Sequence, residues 1–368
     1  MRLRDLKLIN YRNCKEFELN LESEKILIIG KNAQGKTNIL ESIYFLSTLK
    51  TPRTSNNIEL INFDAEKAEI NCNMLKAETD VELDYTYSRE KKRELAINKV
   101  KTTPKNFKSV LKTVLFSTAD LLLLRGNPSD RRDWLDRAIA QIYPAYDDRL
   151  SKYDKIRIQK NNLLKDYLKT GNLNETLLDV YNEQLVIAGS NIIYLRIKFL
   201  KEIERIASEK HHIISETEEL KINYDCSFLN GETELEAIAS AFHKSLEERK
   251  IEETRRGQAC VGPHRDDIIF YINGNEATKF ASQGQQRTVV LALKLSELDI
   301  ITAKTGDEPI LLLDDVLAEL DDLRQNYLLK SISENTQTII TSVDTVLFED
   351  AFLKDVKIYK IENGEIVR

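Results

Sequence analysis

Short apolar runs alternate with turns along the first 115 residues, and this pattern predicts strands around one helix. The run 26–29 is typical of a buried strand. Behind it, Ile39, Ile43 and Leu46 recur at the i, i+4, i+7 spacing of an amphipathic helix, which should end before Pro52. The predicted order over residues 25–49 is therefore strand, loop, helix.

The middle of the chain changes its hydrophobic period. Apolar residues across 177–206 recur about every 3.6 positions, which predicts one long amphipathic helix. An earlier helical stretch over 153–167 leads into a polar turn at 170–174. We expect these two helices to pack as an antiparallel hairpin.

After about residue 253 the pattern returns to alternating strands and helices. The dipeptide Asn273-Gly274 between two short apolar runs indicates a β-hairpin. The buried runs 310–313 and 338–340 flank a helix near 320–331, as in a βαβ unit with parallel strands. We therefore predict an α/β head made of residues 1–115 and 255–368, interrupted by a mainly α-helical domain of residues 116–254.

Composition excludes several classes of protein. The 368 residues, 42% of them hydrophobic, suffice for a sizeable core. A net charge of -6 gives no global attraction to nucleic acid, so any DNA contact must come from local basic surfaces. The four cysteines and four histidines lack the spacing of zinc ligands or of a disulfide framework. No signal peptide or membrane-spanning run is evident, and we expect a cytoplasmic, nucleoid-associated protein without membrane contact.

One motif near the N-terminus carries phosphate-binding chemistry. Residues 30–37 match the pattern G-x-x-x-x-G-K-[ST], whose backbone N–H groups surround phosphate oxygens. Lys36 can reach the β- and γ-phosphates, and the Thr37 hydroxyl can bind Mg²⁺. A chance match is expected in roughly one chain of this length in a hundred, and the flanking strand and helix make it rarer still. The candidate ATP-binding residues here are Gly30, Lys31, Asn32, Ala33, Gln34, Gly35, Lys36, Thr37 and Asn38.

A second candidate half of the site follows the apolar run 310–313. Asp314 and Asp315 end this strand, as in a Walker B segment, where a carboxylate holds Mg²⁺ beside the phosphate loop. A buried strand that merely ends in two acids is the plain alternative. Beside a phosphate loop, we assign Asp314 to the metal and Asp315, with Lys36, to catalysis, Asp315 by positioning and deprotonating the attacking water.

A polar segment before another amphipathic helix has two possible interpretations. Ser282 is suited to cap the helix that starts at Gln283, and local pattern alone does not exclude an ordinary capped helix. The segment from Ser282 to Arg287 also resembles the signature motif of ABC-type ATPases, with Gln283 where glycine is usual. That resemblance implies that Ser282, Gln283, Gly284 and Gln285 approach the nucleotide of a second subunit.

The wider arrangement resembles the SMC-like branch of these ATPases and, because the inserted arm is short, the RecF family of DNA repair proteins. Lys36 and Asp314 are 278 positions apart with helices between them. Further stretches that carry the RecF resemblance are 8–13, 120–132 and 262–267. The resemblance also implies a D-loop contribution from Asp321 and places Ser342 where many ABC ATPases have a switch histidine. Arg53 resembles an arginine that SMC-type heads direct at nucleotide, with a solvated turn residue as the equal alternative.

The resemblance implies a function in recombinational repair, DNA replication and the SOS response to DNA damage. It implies ATP and Mg²⁺ as ligands, an ATP-dependent homodimer, and a weak DNA-stimulated ATPase that acts as a switch. The expected partners are double-stranded and gapped DNA, RecR, RecO and, indirectly, RecA, which the protein helps to load. An SMC-like head that organises chromosomes and, further off, a small-molecule P-loop kinase are the competing functions.

Two basic clusters are the candidates for DNA contact. Lys105, Lys108 and Lys112 would share one face if their segment were helical. Arg89, Lys91, Lys92 and Arg93 fall on a predicted hairpin. Either cluster could bind backbone phosphates, although charge runs are usually just solvated faces.

Overall fold

The computed structural model describes residues 1–54, 56–90, 92–362 and 364–367. Its strands are β1 (Arg2–Tyr11), β2 (Cys14–Asn20), β3 (Lys25–Ile29), β4 (Lys67–Lys76), β5 (Thr79–Ser88), β6 (Arg93–Ile97), β7 (Val100–Lys101), β8 (Thr113–Ser117), β9 (Leu220–Asp225), β10 (Asp267–Ile272), β11 (Asn275–Glu276), β12 (Ile310–Asp314), β13 (Thr338–Ser342), β14 (Lys357–Glu362) and β15 (Glu365–Val367). Its α-helices are α1 (Lys36–Thr48), α2 (Pro104–Lys108), α3 (Pro128–Ile142), α4 (Tyr146–Thr170), α5 (Glu175–Ser215), α6 (Leu235–Arg256), α7 (Ala277–Phe280), α8 (Gln283–Thr305), α9 (Asp322–Ser331) and α10 (Asp350–Leu353). None of the described helices is long and apolar enough to cross a bilayer.

The chain divides into two compact units. The first unit comprises residues 1–122 and 287–368, and the second comprises residues 123–286. One unit is therefore built from both ends of the chain, as the predicted head was.

The first unit contains a mostly parallel sheet that positions the phosphate loop. Its strand order is β15-β14-β3-β13-β12-β8, and β14, β3, β13, β12 and β8 run parallel. The predicted strand, loop and helix are confirmed as β3, residues 30–35 and α1. The predicted βαβ unit is confirmed as β12, α9 and β13. Parallel strands buried on both faces explain the continuous apolar runs of the sequence.

An antiparallel sheet completes the first unit, in the order β2-β1-β4-β5-β6-β7. The buried Gln337 amide links this sheet to the start of β13. Its Oε1 accepts the Leu3 N–H at 2.7 Å, and its Nε2 donates to the carbonyl oxygens of Leu3 and Leu21. A buried amide with both ends satisfied fixes the two sheets against each other, because any shift would leave polar groups unpaired.

The second unit is mainly helical. The predicted antiparallel hairpin is present as α4 and α5, which pack against each other and are joined by a turn around Gly171. Asn174 caps α5 by accepting the Leu177 N–H at 3.0 Å. Helix α5 has 41 residues, longer than the apolar repeat indicated, because its first and last turns are more polar.

The predicted boundary at residue 255 differs from the boundary in the structure. Residues 255–286 belong to the second unit. Strand β10 pairs with β9 over Asp267–Ile272, and β11 follows through the predicted Asn273-Gly274 turn. Arg131 also holds Asp267 through two hydrogen bonds of 2.8 and 2.7 Å. The sequence showed the strand pattern but not its strand partner, which lies about 45 residues earlier.

Candidate functional site

The loop between β3 and α1 needs glycine at two positions. Gly35 directly precedes α1 with φ at 102°, a conformation that L side chains rarely adopt. A Cβ at Gly30 would overlap the carbonyl oxygen of Ile361 on β14. The loop can therefore lie close to β14 and present the N-terminus of α1, which favours bound anions.

Lys36 crosses the inside of this loop. Its side chain is 3% exposed, and its Nζ donates to the carbonyl oxygens of Gly30 at 2.6 Å and Lys31 at 3.3 Å. The Asp315 Oδ2 atom lies 3.9 Å from the same nitrogen. The ammonium is thus held by the loop at the position where phosphate oxygens would replace the carbonyl oxygens as acceptors.

Asp314 links β12 to the first turn of α1. Its Oδ1 accepts hydrogen bonds from the Thr37 hydroxyl at 3.0 Å and the Thr341 hydroxyl at 2.9 Å. Burial raises the pKa of Asp314, the two hydroxyls oppose that rise, and the neighbouring Asp315 carboxylate adds to it. The sequence placed Thr37 and Asp314 277 positions apart, and the parallel sheet brings them together.

Asp315 has an unusual backbone and an unsatisfied oxygen. Its φ is 50°, in the left-handed region, and its N–H donates to the Thr341 hydroxyl at 2.9 Å. Its Oδ1 is buried and accepts no hydrogen bond from the residues that the structure describes. A buried acceptor without a donor is costly, so a bound molecule that donates a hydrogen bond to this oxygen would be favoured.

A cleft of about 300 Å³ opens over these groups. It is lined by residues 32–38 together with Asn13, Arg53 and Asp315. The Asn38 Nδ2 donates to the Asn13 Oδ1 at 2.5 Å, and Arg53 donates to the Asn38 amide oxygen. All of the predicted loop residues from Asn32 to Asn38 therefore face one cavity, and Arg53 joins them.

Glu41 anchors the arginine side of the cleft, and the sequence analysis missed it together with Asn13. Its side chain is 1% exposed and binds Arg12 through two hydrogen bonds of 2.8 and 2.7 Å. Arg53 donates to it as well. Burial alone would raise the pKa of Glu41, but hydrogen bonds from Arg53, Arg12 and Thr51 keep that pKa below its ordinary value. The sequence did contain a signal for Glu41, because it is a charged residue between apolar positions of the predicted helix α1.

The signature-like segment begins α8 with a reciprocal cap. The Ser282 N–H donates to the Gln285 Oε1 at 2.7 Å, and the Gln285 N–H donates to the Ser282 Oγ at 3.2 Å. Ser282 and Gln283 are exposed, and Gly284 is half-buried between them and Gln285. The plain capping function is thus present, and Ser282 and Gln283 are exposed at this helix N-terminus.

The two remaining predicted positions have structural roles in the first unit. Asp321 caps α9 by accepting the Arg324 N–H at 3.0 Å and pairs with the Arg324 guanidinium. Ser342 is the buried last residue of β13, and its carbonyl oxygen accepts the Gly30 N–H at 3.2 Å. Ser342 therefore borders the phosphate loop through its backbone.

Comparison with known proteins decides the family. Residues 2–367 match the RecF/RecN/SMC N terminal domain family. The DNA replication and repair protein RecF of Bacillus velezensis is 38% identical over 370 residues, and that of Bacillus subtilis is 37% identical, each match covering 100% of both chains. The chain belongs to the RecF family.

Solved structures agree with this assignment. The structure of the recombination mediator protein RecF-ATP in the RecFOR pathway matches with a TM-score of 0.91 and 33% identity, covering 100% of this chain and 97% of that one. The SmcHead bound to the C-winged helix domain of ScpA matches with a TM-score of 0.55 at 15% identity, which shows the fold alone. The predicted α/β fold of an ABC-type, SMC-like head is confirmed for this RecF-family chain.

One lysine of the predicted DNA-binding face, Lys112, does not share a helix face with the other two. Helix α2 ends at Lys108, so Lys112 lies outside it. Lys112 is buried, and its Nζ donates to the Lys108 carbonyl oxygen at 3.1 Å. Burial, with the nearby Lys76 charge, lowers the pKa of Lys112 to about 8. Lys105 and Lys108 remain candidates for phosphate contact in this RecF-family chain.

The second basic cluster lies on the hairpin of β5 and β6, as the sequence predicted. Arg89 is turned inward and donates to the carbonyl oxygens of Ala65, Asn62 and Phe63, so it holds a loop in place. Lys92 and Arg93 are exposed. Lys91 lies outside the described residues. Fewer cations of this cluster are therefore exposed for DNA contact than the sequence alone suggests.

Proposed function

We propose that this chain binds ATP with the loop of residues 30–37, in the cleft lined by residues 32–38 and Arg53. The observation that carries the proposal is the Lys36 ammonium, buried inside a glycine-dependent loop whose helix N-terminus faces a cavity of about 300 Å³. The relative solved as RecF-ATP supports it, because that structure covers this whole chain.

The oxygen ligands near the loop also suit Mg²⁺. Thr37 and Asp314 are 3.0 Å apart, which is the spacing of neighbouring ligands on a small hard cation, and the raised pKa of Asp314 marks a site where a positive charge would be favourable. A bound Mg²⁺ would neutralise charge on the β- and γ-phosphates. Thr37 and Asp314 are the residues that would hold it.

Hydrolysis would depend on Asp315. Its buried Oδ1 has no donor among the described residues, so it can accept the proton of a water molecule at the γ-phosphate. Lys36 lies 3.9 Å from the other carboxylate oxygen and keeps the carboxylate next to the transferred group. We expect a weak ATPase, stimulated by DNA, that times a conformational state.

ATP would join two copies of the chain. Ser282, Gln283 and Gly284 stand at the start of α8, and we assign them with Gln285 to the γ-phosphate held by a partner subunit. Asp321 and Ser342 would contribute at the same interface. Each additional charge-assisted hydrogen bond to phosphate contributes roughly 1.5–3 kcal/mol, so two shared nucleotides can shift a weak dimer equilibrium strongly.

The closed dimer would act as a clamp on duplex DNA at single-strand gaps and promote RecA loading with RecO and RecR. The support is the RecFOR pathway named for the solved relative and the DNA replication and repair proteins that match the full chain. Lys105, Lys108, Lys92 and Arg93 are the cations that we assign to backbone phosphates.

The test is a titration of gapped and plain duplex DNA with and without Mg-ATP over a series of salt concentrations. We expect ATP to increase DNA affinity at least about tenfold and the increase to vanish in Lys36→Ala, while Lys67→Ala, an exposed lysine of β4 outside the cleft, retains it. Equal DNA affinity with and without ATP would contradict the clamp. ATP-dependent phosphorylation of a small acceptor would support a kinase instead.

A further inference from the structure

The second unit contains a separate, half-open cleft of about 400 Å³ lined by four arginines. The residues 262–267 and the end of the 120–132 segment meet there, and the ATP site uses neither. Arg132, Arg157, Arg196 and Arg265 outnumber the three carboxylates of the lining. An excess of guanidinium groups in one cavity requires either internal partners or a ligand.

Two of the arginines have internal partners. Arg196 is 3% exposed and binds Asp136 through two hydrogen bonds of 2.8 Å each, with a third bond to the Pro263 carbonyl oxygen at 2.7 Å. Arg157 pairs with Asp154 at 3.0 Å. These two pairs fix the walls of the cleft and use up their carboxylates.

Among the described residues, the hydrogen-bond acceptors of the other two arginines are backbone carbonyl oxygens. Arg132 donates to the Asp266 carbonyl oxygen at 2.6 Å, and Arg265 donates to the Ala259 carbonyl oxygen at 3.3 Å. A guanidinium carries five N–H donors, so most of theirs remain for a ligand. Burial and the neighbouring Arg196 charge lower the pKa of Arg132, and the charges of Asp267, Asp266 and Asp133 partly oppose that shift.

His264 and Asn161 both bind Ala259, in the loop segment 257–266 that carries Arg265. Burial and the three nearby arginine charges lower the pKa of His264 to about 3, so the ring is neutral. Its Nδ1 lies 2.7 Å from the Tyr153 hydroxyl, which donates to it. The Asn161 Oδ1 accepts the Ala259 N–H at 2.7 Å, and its Nδ2 therefore remains a donor on the wall of the cleft.

We propose that this cleft binds a phosphate monoester, with Arg132, Arg265 and the Asn161 amide as its donors. A monoester presents three terminal oxygens to three separate donors, whereas a backbone diester presents two. Planar guanidinium forks match phosphate oxygens better than single-point donors do. Asp133 also lines the cleft, so the anion would bind on the side of Arg132 and Arg265.

Two sources can supply this group, namely the 5′ end of a DNA strand and a free nucleotide. The first arm of the test compares 3′-labelled duplexes with a 5′-phosphate or a 5′-hydroxyl by fluorescence anisotropy. We expect the phosphate to tighten binding about tenfold, the size of one charge-assisted hydrogen bond. Arg265→Gln and Arg132→Gln should reduce that ratio to about one. Arg205→Gln, on an exposed face of α5, should leave it unchanged.

The second arm titrates AMP onto the same four proteins by calorimetry. Loss of AMP binding in Arg265→Gln without any 5′-phosphate effect on DNA would assign the cleft to free nucleotide. Arg265 is exposed, so its variant keeps the test valid even if Arg132→Gln fails to fold. The proposal would be overturned if wild type, Arg265→Gln and Arg205→Gln each bound the two duplexes equally well and if all three proteins bound AMP with the same affinity. Because no residue of the phosphate loop lines this cleft, Lys36→Ala should retain the 5′-phosphate preference.

Discussion

The Asp315 carboxylate has one buried oxygen that accepts no hydrogen bond from the described residues, and the backbone of this residue has a positive φ. Such a conformation is retained only where the surrounding structure fixes it, here through the N–H bond to Thr341. The Lys36 ammonium lies 3.9 Å from the other oxygen of this carboxylate, and Asp314 precedes it at the end of β12. We assign the proposed hydrolysis to these three charged groups.

Asp315→Asn should leave ATP binding within about threefold of wild type and reduce hydrolysis at least about 100-fold, because an amide oxygen cannot take up the proton of the attacking water. Single-turnover release of phosphate measures this directly. Asp64→Asn, an exposed aspartate of the same unit, is the matched control. Hydrolysis at the wild-type rate in Asp315→Asn would remove Asp315 from the mechanism.

Sequence alone sufficed to select the candidate site residues that belong to a local pattern. The loop 30–37 is such a pattern, and so is the acid pair at the end of β12. Asn13 and Glu41 were missed because their contacts with Asn38 and Arg53 depend on the tertiary arrangement of β1, α1 and the following loop. Lys112 was misjudged because α2 ends four residues earlier than an extended lysine face requires.

Helices α4 and α6 are joined by a buried ion pair. Lys160 and Glu253 are 0% and 2% exposed, and their Nζ and Oε2 atoms are 2.6 Å apart. The Glu253 Oε1 also accepts the Cys260 N–H at 2.8 Å, which ties α6 to the segment that leads into the arginine cleft. Neither helix shows this pairing in its own hydrophobic pattern.

Lys160→Met should destabilise the second unit by about 3–5 kcal/mol, because it leaves the Glu253 carboxylate buried without a counter-charge. Urea unfolding followed by the fluorescence of Trp134, the single tryptophan of the chain, reports on this unit. The double variant Lys160→Met/Glu253→Gln should recover at least half of the loss. Lys250→Met, which removes the exposed pair with Glu175, should change little, and an equal loss in both single variants would contradict the account.

The boundary between the two units could not be predicted from the local patterns of helices and strands. Periodicity predicted α5, the α4–α5 hairpin and the β12–α9–β13 unit, because each is set by neighbouring sequence. Membership of residues 255–286 depends on β10 pairing with β9 and on the Arg131–Asp267 bond. Such long-range pairings have no local signal, so the boundary moved by about 30 residues from the predicted position.

For the whole molecule, we propose that ATP joins two copies of the chain through the segment that starts α8. Ser282 is exposed there, and the ABC-type fold is established by the RecF relatives. We expect a bulky cation at this position to block the approach of a second phosphate loop, and the substitution changes none of the residues that line the ATP cleft. One substitution should therefore separate dimerisation from ATP binding.

The most direct test is the solution mass of the chain with Mg-ATP, measured by light scattering for wild type, Ser282→Arg and the exposed-site control Ser227→Arg. We predict a mass of twice 42.5 kDa for wild type and Ser227→Arg in ATP. Ser282→Arg should bind ATP with unchanged affinity and remain at 42.5 kDa. A Ser282→Arg protein that dimerises with ATP as wild type does would contradict the two-headed ATP switch.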